Sequence, residues 1–314
     1  MNFINILNHI LRPLEWVVAQ LLTLFHHALV TFGMTAGPSP AWGIAIMCLV
    51  LVIRICLLPL FLSQMRAMQR IQVLQPQIQR IQHKYAARKD PRSKEAMQRE
   101  IMALQQRYNA NPLGSCLPSL IQAPILCSLF YTLQSLPAIA DGNAEPLGGI
   151  DHTMAGDIES SSIFGVRIAD SFGTVASPQS RIIIGVAVAL MCLTLFAIQW
   201  MLIHRNTSKD AMVSPQFRVQ KMTVFVFPAI YVVSGATLPF GVLLYWLTNN
   251  LWNLGQTLCQ LRWFPTPGSA AGERKARRDY EQDNRRRAAA GLPSLEEERA
   301  MAAREEAKAR RERE

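Results

Sequence analysis

The sequence predicts an all-α polytopic membrane protein: a five-span helical bundle with a cytoplasmic antiparallel helical hairpin and a preceding interfacial helix. Three observations predict it. Apolar runs long enough to cross a bilayer, at about 20 residues per helical span, alternate with segments rich in Arg, Lys and Gln. The formal charge of +10 is carried outside those runs, on alternate connecting segments. Between the first two runs, apolar residues recur at helical spacing on either side of a turn signal.

Residues 1–37 hold an apolar stretch, Leu14–Leu29, with Glu15 before it and His26 and His27 within it. Arg12-Pro13 gives only weak support for a signal peptide and no small-residue cleavage site follows, so a helix in the membrane interface, with Trp16 at headgroup level, is the preferred reading. A sixth span is the alternative. His26 and His27 diverge by about 100° on a helix, which fits interfacial histidines better than a metal site.

The first span is expected at 38–62, around the run Ala41–Leu62. The segment 63–111 carries ten Lys and Arg against Asp90, Glu95 and Glu100, and reads as cytoplasmic. Within it, Pro76 suits a first helical turn, and Ile78, Ile81 and Tyr85 form one stripe. After the turn Lys89-Asp90-Pro91-Arg92, Met97, Ile101, Leu104 and Tyr108 form a second. Two such helices zip into a hairpin. Met65, Met68, Met97 and Met102 add a pliable apolar surface.

The second span is expected at 112–136, and an acidic extracytoplasmic loop at 137–179, with Arg167 against Asp141, Glu145, Asp151, Asp157, Glu159 and Asp170. A third span at 180–203 leads to a basic loop, 204–221, holding Arg205, Lys209, Arg218 and Lys221. This alternation demands an odd number of spans from Ala41 onward. Splitting 222–261 at Leu238-Pro239-Phe240-Gly241 supplies the fourth and fifth. The tail, 262–314, opens on Pro265, Pro267 and Gly268 and continues with Arg and Glu mixed with Ala. It reads as a solvated charged helix or disordered arm, or as an electrostatic contact for RNA through its basic part, Arg274–Arg287.

Arg54 stands past the middle of the first span. A central charge there costs about 2.5–3.5 kcal/mol on insertion scales. It either snorkels to the cytoplasmic headgroups or faces a watery recess. Gln122, Gln199 and Asn249-Asn250 are polar positions in other spans that would line such a recess. No Asp, Glu or Lys lies within the spans to pair with Arg54, which disfavours an ion-coupled pump. Pro59, Pro118, Pro124, Pro228 and Pro239 interrupt the spans and release backbone groups that need partners or a lined cavity. The six cysteines form no CxxC pair, and no phosphate loop, nucleophile elbow or zinc motif is present. Neither an enzyme nor a cofactor nor a metal is implied.

The motifs resemble the YidC family of membrane protein insertases, with its mitochondrial and chloroplast relatives. The resemblance covers roughly Trp42 to Leu261. It rests on Arg54 with Leu58-Pro59-Leu60, on Leu74-Gln75-Pro76, and on Asn111-Pro112-Leu113-Gly114 running through Cys116-Leu117-Pro118 to Gln122-Ala123-Pro124-Ile125. Gly241-Val242-Leu243-Leu244-Tyr245-Trp246-Leu247-Thr248-Asn249-Asn250 completes it. The short outside region looks like the Gram-positive form, with an actinobacterial source expected; no lipobox cysteine stands near the start.

The resemblance implies a hydrophilic groove open to the cytoplasm and to lipid, with Arg54 as its single positive charge. Gln122 and Gln199 match polar positions of the groove. Val50 and Trp246 fall where relatives contact a client, although relatives often carry Thr and Tyr there. The implied partners are nascent membrane proteins, the lipid bilayer, the Sec translocase, and the ribosome through the basic tail. The implied location is the bacterial plasma membrane with the C-terminus inside. A channel or small-solute transporter, and a passive assembly scaffold, are the alternatives.

Overall fold

The computed structural model describes residues 3–87, 90–110 and 117–311. Asn111–Gly114, Cys116 and Lys89 lie outside the described residues.

The first helix, α1, spans Phe3–Thr31. By length and composition its Leu11–Thr31 part is able to cross a membrane. Its contacts, however, run along the end of the bundle away from the hairpin. Arg12 faces Glu145, the Trp16 carbonyl lies against Gly148, Thr23 lies against Gly149, and His26 stacks on Trp42. Partners spread along one loop segment and the start of the next helix hold α1 across the bundle's end. Val18, Ala19 and Leu22 point into the core, while Trp16, Val17 and Leu24 point out. His26 is buried, with its ring centroid 3.8 Å from that of Trp42, rather than exposed at an interface as expected.

Helix α2 (Pro40–Cys56) starts behind Ser39, whose hydroxyl accepts from the Ala41 N–H at 3.3 Å. It ends where Pro59 approaches, because the proline ring removes a donor and crowds the preceding turn. A 54° bend at this break leads into α3 (Leu58–Val73). The span expected at 38–62 is therefore two helices broken at the flagged Pro59, and Arg54 sits in the last turn of α2.

A second break at Leu74 gives α4 (Gln75–Tyr85), which pairs with α5 (Pro91–Arg107). Asp90 caps α5 by accepting from the Ser93 N–H at 2.8 Å. The hairpin core is small: Leu74, Ile78 and Ala110, with Ile71, Ile101 and Leu104 packed against them. Tyr108, expected in the stripe, is exposed because α5 ends before it.

Helix α6 (Leu117–Ala140) contains Pro124 and Pro137. The acidic segment that follows is folded. It carries α7 (His152–Ser160) and a short antiparallel pair, β1 (Ser162–Ile163) with β2 (Val166–Arg167). The two-residue turn Phe164-Gly165 takes positive φ at both positions, as a tight hairpin of this hand requires.

Helices α8 (Pro178–Asn206) and α9 (Pro215–Thr237) are capped by Ser177 and Ser214. Helix α10 (Phe240–Trp263) begins after Pro239, which has no capping side chain. Its free N–H groups are met from outside: Phe240 donates to the Asp170 carbonyl at 2.7 Å and Gly241 to that of Ile168 at 2.9 Å. A Cβ on Gly241 would lie 2.7 Å from Ile168 Cγ2, so glycine permits the loop to seat there.

Helices α6, α8 and α9 contain segments long and apolar enough to cross a membrane, and the bent α2–α3 pair makes another. Helix α10, expected as the fifth span, is interrupted by Asn249, Asn250, Asn253, Gln256 and Gln260 and owes its central place to packing against α8 and α2. The tail forms α11 (Ala270–Ala289) and α12 (Leu295–Arg311). The start of α11 is docked rather than free. Thr266 N–H donates to Asn206 Oδ1 at 2.9 Å, Ser208 bridges Ser269, and Lys209 pairs with Glu273 at 2.8 Å.

The core is unevenly distributed. Trp42, Ala45, Ile46, Leu49 and Val50 of α2 close against α1, the C-terminal half of α6, α7 and Val242. Ile163, Val166 and Ile184 with Phe240, Leu243 and Leu244 form a second cluster beside it. Both occupy the end of the bundle away from the hairpin.

Candidate functional site

One helical turn past Val50, about 6 Å along α2, the apolar core gives way to Arg54. Its guanidinium is partly buried. Nε donates to Asn249 Oδ1 of α10 at 2.8 Å, and Nη2 donates to the same oxygen. Among the described residues Arg54 makes no ion pair with a carboxylate. The amide satisfies donors without cancelling the charge.

Arg54 lines a cavity of about 410 Å³ together with Leu57, Phe61 and Gln64 of the α2–α3 segment, Gln122 and Leu126 of α6, and Asn253 and Gln256 of α10. Gln122 Nε2 donates to the Tyr245 hydroxyl, tying α6 to α10 at the top of this space. Phe61, Gln64, Asn253 and Gln256 also border a second cavity of about 300 Å³, whose far side holds Gln199, Asn206 and Gln220. Gln72, Thr207 and Gln220 pass this on to a third of about 330 Å³, beside Gln75, Gln82 and Gln105 of the hairpin. A lane of neutral amides therefore runs from the arginine to the hairpin. Amides offer donors and acceptors at low desolvation cost and no fixed charge to trap a passing polar segment.

Of the residues singled out from sequence, Arg54 and Gln122 share the first cavity and Gln199 lies on the second. Trp246 is partly buried between the two core clusters, its ring centroid 4.7 Å from that of Tyr231. Val50, in contrast, is 1% exposed within the packed core and lines none of these cavities. Sequence reasoning missed Gln64, Asn253, Gln256 and Gln220. Gln64 and Gln220 flank spans where Gln is ordinary. Asn253 falls four residues and Gln256 seven residues past the flagged Asn249, and that helical spacing was a usable signal.

Among the described residues no group of three His, Cys, Asp or Glu side chains is placed to hold a metal ion.

An apolar core at one end of the bundle and a cationic, amide-lined recess beside helices able to span a membrane define a class: polytopic helical membrane proteins with a hydrophilic recess. The sequence model of the family described as 60Kd inner membrane protein matches residues 34–266. The chain is 44% identical over 308 residues to Membrane protein insertase YidC of Bifidobacterium longum (strain NCC 2705), covering 98% of this chain and 91% of the relative. It is 34% identical to the protein of that name from Streptomyces avermitilis, covering 85% of this chain and 61% of the relative. It is 30% identical to that of Tropheryma whipplei (strain Twist), covering 87% and 90%. A solved structure, described as an active YidC insertase crystal structure with the first transmembrane domain resolved, aligns with a TM-score of 0.46 at 23% identity, over 80% of this chain and 46% of that one. The chain belongs to the 60Kd inner membrane protein family.

Proposed function

We propose that this chain acts as its relatives are named, as a membrane protein insertase, and that Arg54 receives the polar leading segment of a client. The observation that carries the reading is the uncompensated charge of Arg54, held by a neutral amide where the packed core stops. An acidic client tail moving along the amide lane meets the arginine before it meets apolar core. At 4 Å the attraction is about 1 kcal/mol in water and about 4 kcal/mol at an effective dielectric of 20. That offsets part of the cost of carrying a carboxylate into the bilayer without holding the client. The client's apolar helix then leaves for lipid, and its burial at about 25 cal/mol per Å² supplies the driving force without nucleotide hydrolysis.

The filled outer end argues against a channel, because Trp42, Leu49 and Leu243 leave no polar path through it. In this reading the protein sits in the bacterial plasma membrane, with α1 in the outer interface and the C-terminus inside. The exposed Arg285 and Arg286 of α11 support contact with a ribosome. A Sec translocase partner rests on the resemblance alone.

The test is reconstitution of the purified protein in liposomes with a single-span client bearing an acidic tail. Arg54→Ala is expected to lose most insertion of that client, and Arg54→Lys to keep it. Equal insertion by Arg54→Ala and the parent chain overturns the electrostatic part of the reading.

A further inference from the structure

Where α8 and α10 end, α11 folds back across them and leaves an open cleft of about 610 Å³. Five arginines border it: Arg205 from α8, Arg262 from α10, and Arg274, Arg277 and Arg278 from α11. Glu281 is the acidic member, and its carboxylate is engaged by Arg277 at 2.9 Å. Arg278 donates through Nη2 to the Arg262 carbonyl at 3.0 Å, but its Nε is buried with no hydrogen-bond acceptor. A buried charged donor without a partner is costly, and an acceptor arriving in the cleft removes that cost. Arg274 Nε goes only to its own helix, on the Ala270 carbonyl.

The wall of the cleft is apolar. Leu258 and Leu261 come from α10, and Leu258 is half exposed on the same helix that exposes Leu251 and Trp263. Trp200 and Trp263, both exposed and both near the helix ends that carry His204–Arg205 and Arg262, are placed as residues of a membrane interface are. An arginine rim over leucines that continue onto a lipid-exposed helix face fits a molecule with a phosphate at one end and hydrocarbon at the other. A basic pocket between span ends on the inner side is the usual form of an anionic headgroup site.

We propose that this cleft binds the phosphate headgroup of an anionic phospholipid, which locks α11 onto the ends of α8 and α10. The guanidiniums of Arg205, Arg262, Arg274 and Arg278 take the phosphate oxygens, with the forked geometry that suits them to bidentate pairing. The acyl chains lie along Leu258 and the outer face of α10. The site is separate from Arg54, so its failure leaves the insertase reading standing.

The experiment uses the full chain in detergent, titrated with phosphatidylglycerol or phosphatidylcholine and read by native mass spectrometry. The parent chain is expected to retain phosphatidylglycerol in preference. Arg262→Gln with Arg278→Gln, and separately Arg205→Gln with Arg274→Gln, are expected to weaken retention by roughly tenfold. The second pair leaves the Arg278 to Arg262 hydrogen bond in place, so loss of lipid there does not reflect loss of the docked helix. Arg299→Gln with Arg304→Gln on α12 removes equal charge elsewhere and is expected to change nothing. Excess inorganic phosphate is expected to compete weakly, since it lacks the chains that rest on the leucines. The proposal is overturned by equal retention of the two lipids, by equal loss in the α12 control, or by full displacement with phosphate alone. It is also overturned if the cleft variants weaken binding of an RNA oligonucleotide and leave lipid retention unchanged.

Discussion

In the proposed function, Arg54 depends on the residue that holds it. Asn249 accepts from two of its nitrogens and so fixes the side chain, yet brings no negative charge. Asn249→Asp turns that contact into an ion pair of the same shape, worth up to about 4 kcal/mol at an effective dielectric of 20 before desolvation is subtracted. It is expected to leave the fold intact and to cut insertion of an acidic-tailed client nearly as far as Arg54→Ala does. Liposome insertion beside a thermal unfolding scan checks this; unimpaired insertion sinks the idea that free charge is what matters. Asp151 shows the opposite arrangement. Its carboxylate caps α7, accepting from the Met154 N–H at 2.8 Å and the Thr153 hydroxyl at 2.7 Å, and these hydrogen bonds hold its pKa below the usual carboxylate range. A depressed folded pKa gives stability that is present above the unfolded value and lost as pH falls through the folded one. Acidifying the outside medium to pH 5 is therefore expected to leave α7 in place. Loosening should begin only below about pH 4, near the unfolded Asp value, and hydrogen exchange across residues 152–160 reads it.

The elements divide by what stabilises them. In the hairpin, Lys84 lies 2.9 Å from Glu100 between α4 and α5, and the pairing raises the pKa of the amine and lowers that of the carboxyl. Both groups are exposed, and such pairs contribute little against solvent screening. The small apolar cluster around Leu74 and Ile78 carries the hairpin instead. Leu104→Ala, at a partly buried position, is expected to cost about 2 kcal/mol, at the low end for Leu→Ala, and to expose the hairpin to protease. Glu100→Gln should leave the digestion pattern unchanged. The bend between α2 and α3 follows from Pro59, and the break between α9 and α10 from Pro239. Both prolines were visible as interruptions. What they did locally was not. Pro59 moves Arg54 from a span's interior to a helix end, and Pro239 leaves donors that only the loop carbonyls of Ile168 and Asp170 satisfy.

Across the whole molecule, the division between an apolar core at one end and an amide-lined recess at the other is what the proposed function rests on. It predicts a labelling pattern. In a background with the cysteines replaced, Gln199→Cys and Gln256→Cys are expected to react with a membrane-impermeant maleimide applied to inside-out vesicles, and Val50→Cys to stay unmodified. Reaction at Val50→Cys would show that the outer core opens. Much of the architecture was legible in sequence, because apolar runs, alternating charge and prolines act locally and leave a periodic trace. Arg54 and Gln122 were legible for a related reason: a polar side chain within an apolar run stands out. Gln64 and Gln220 were not, since glutamine beside a span carries no signal until helices bring it to a cavity. The burial of Val50 was not legible either, because resemblance assigns a position and not its packing. The tail was read as a solvated charged helix or disordered arm, and its docking was not legible: Asn206, Ser208 and Lys209 tie its first helix to the end of α8.

The sequence by itself determined where the long apolar runs lie, which segments carry the positive charge, and that one arginine stands without an acidic partner in its span. These follow from local composition, since a bilayer or a helical turn responds to about 20 residues at a time. Only the tertiary structure decided that α1 lies across the bundle's end, that the amides join into one lane, that Asn249 holds Arg54 without neutralising it, and that five arginines converge at α11. Each of these depends on contacts between residues far apart in the chain, and packing alone sets them.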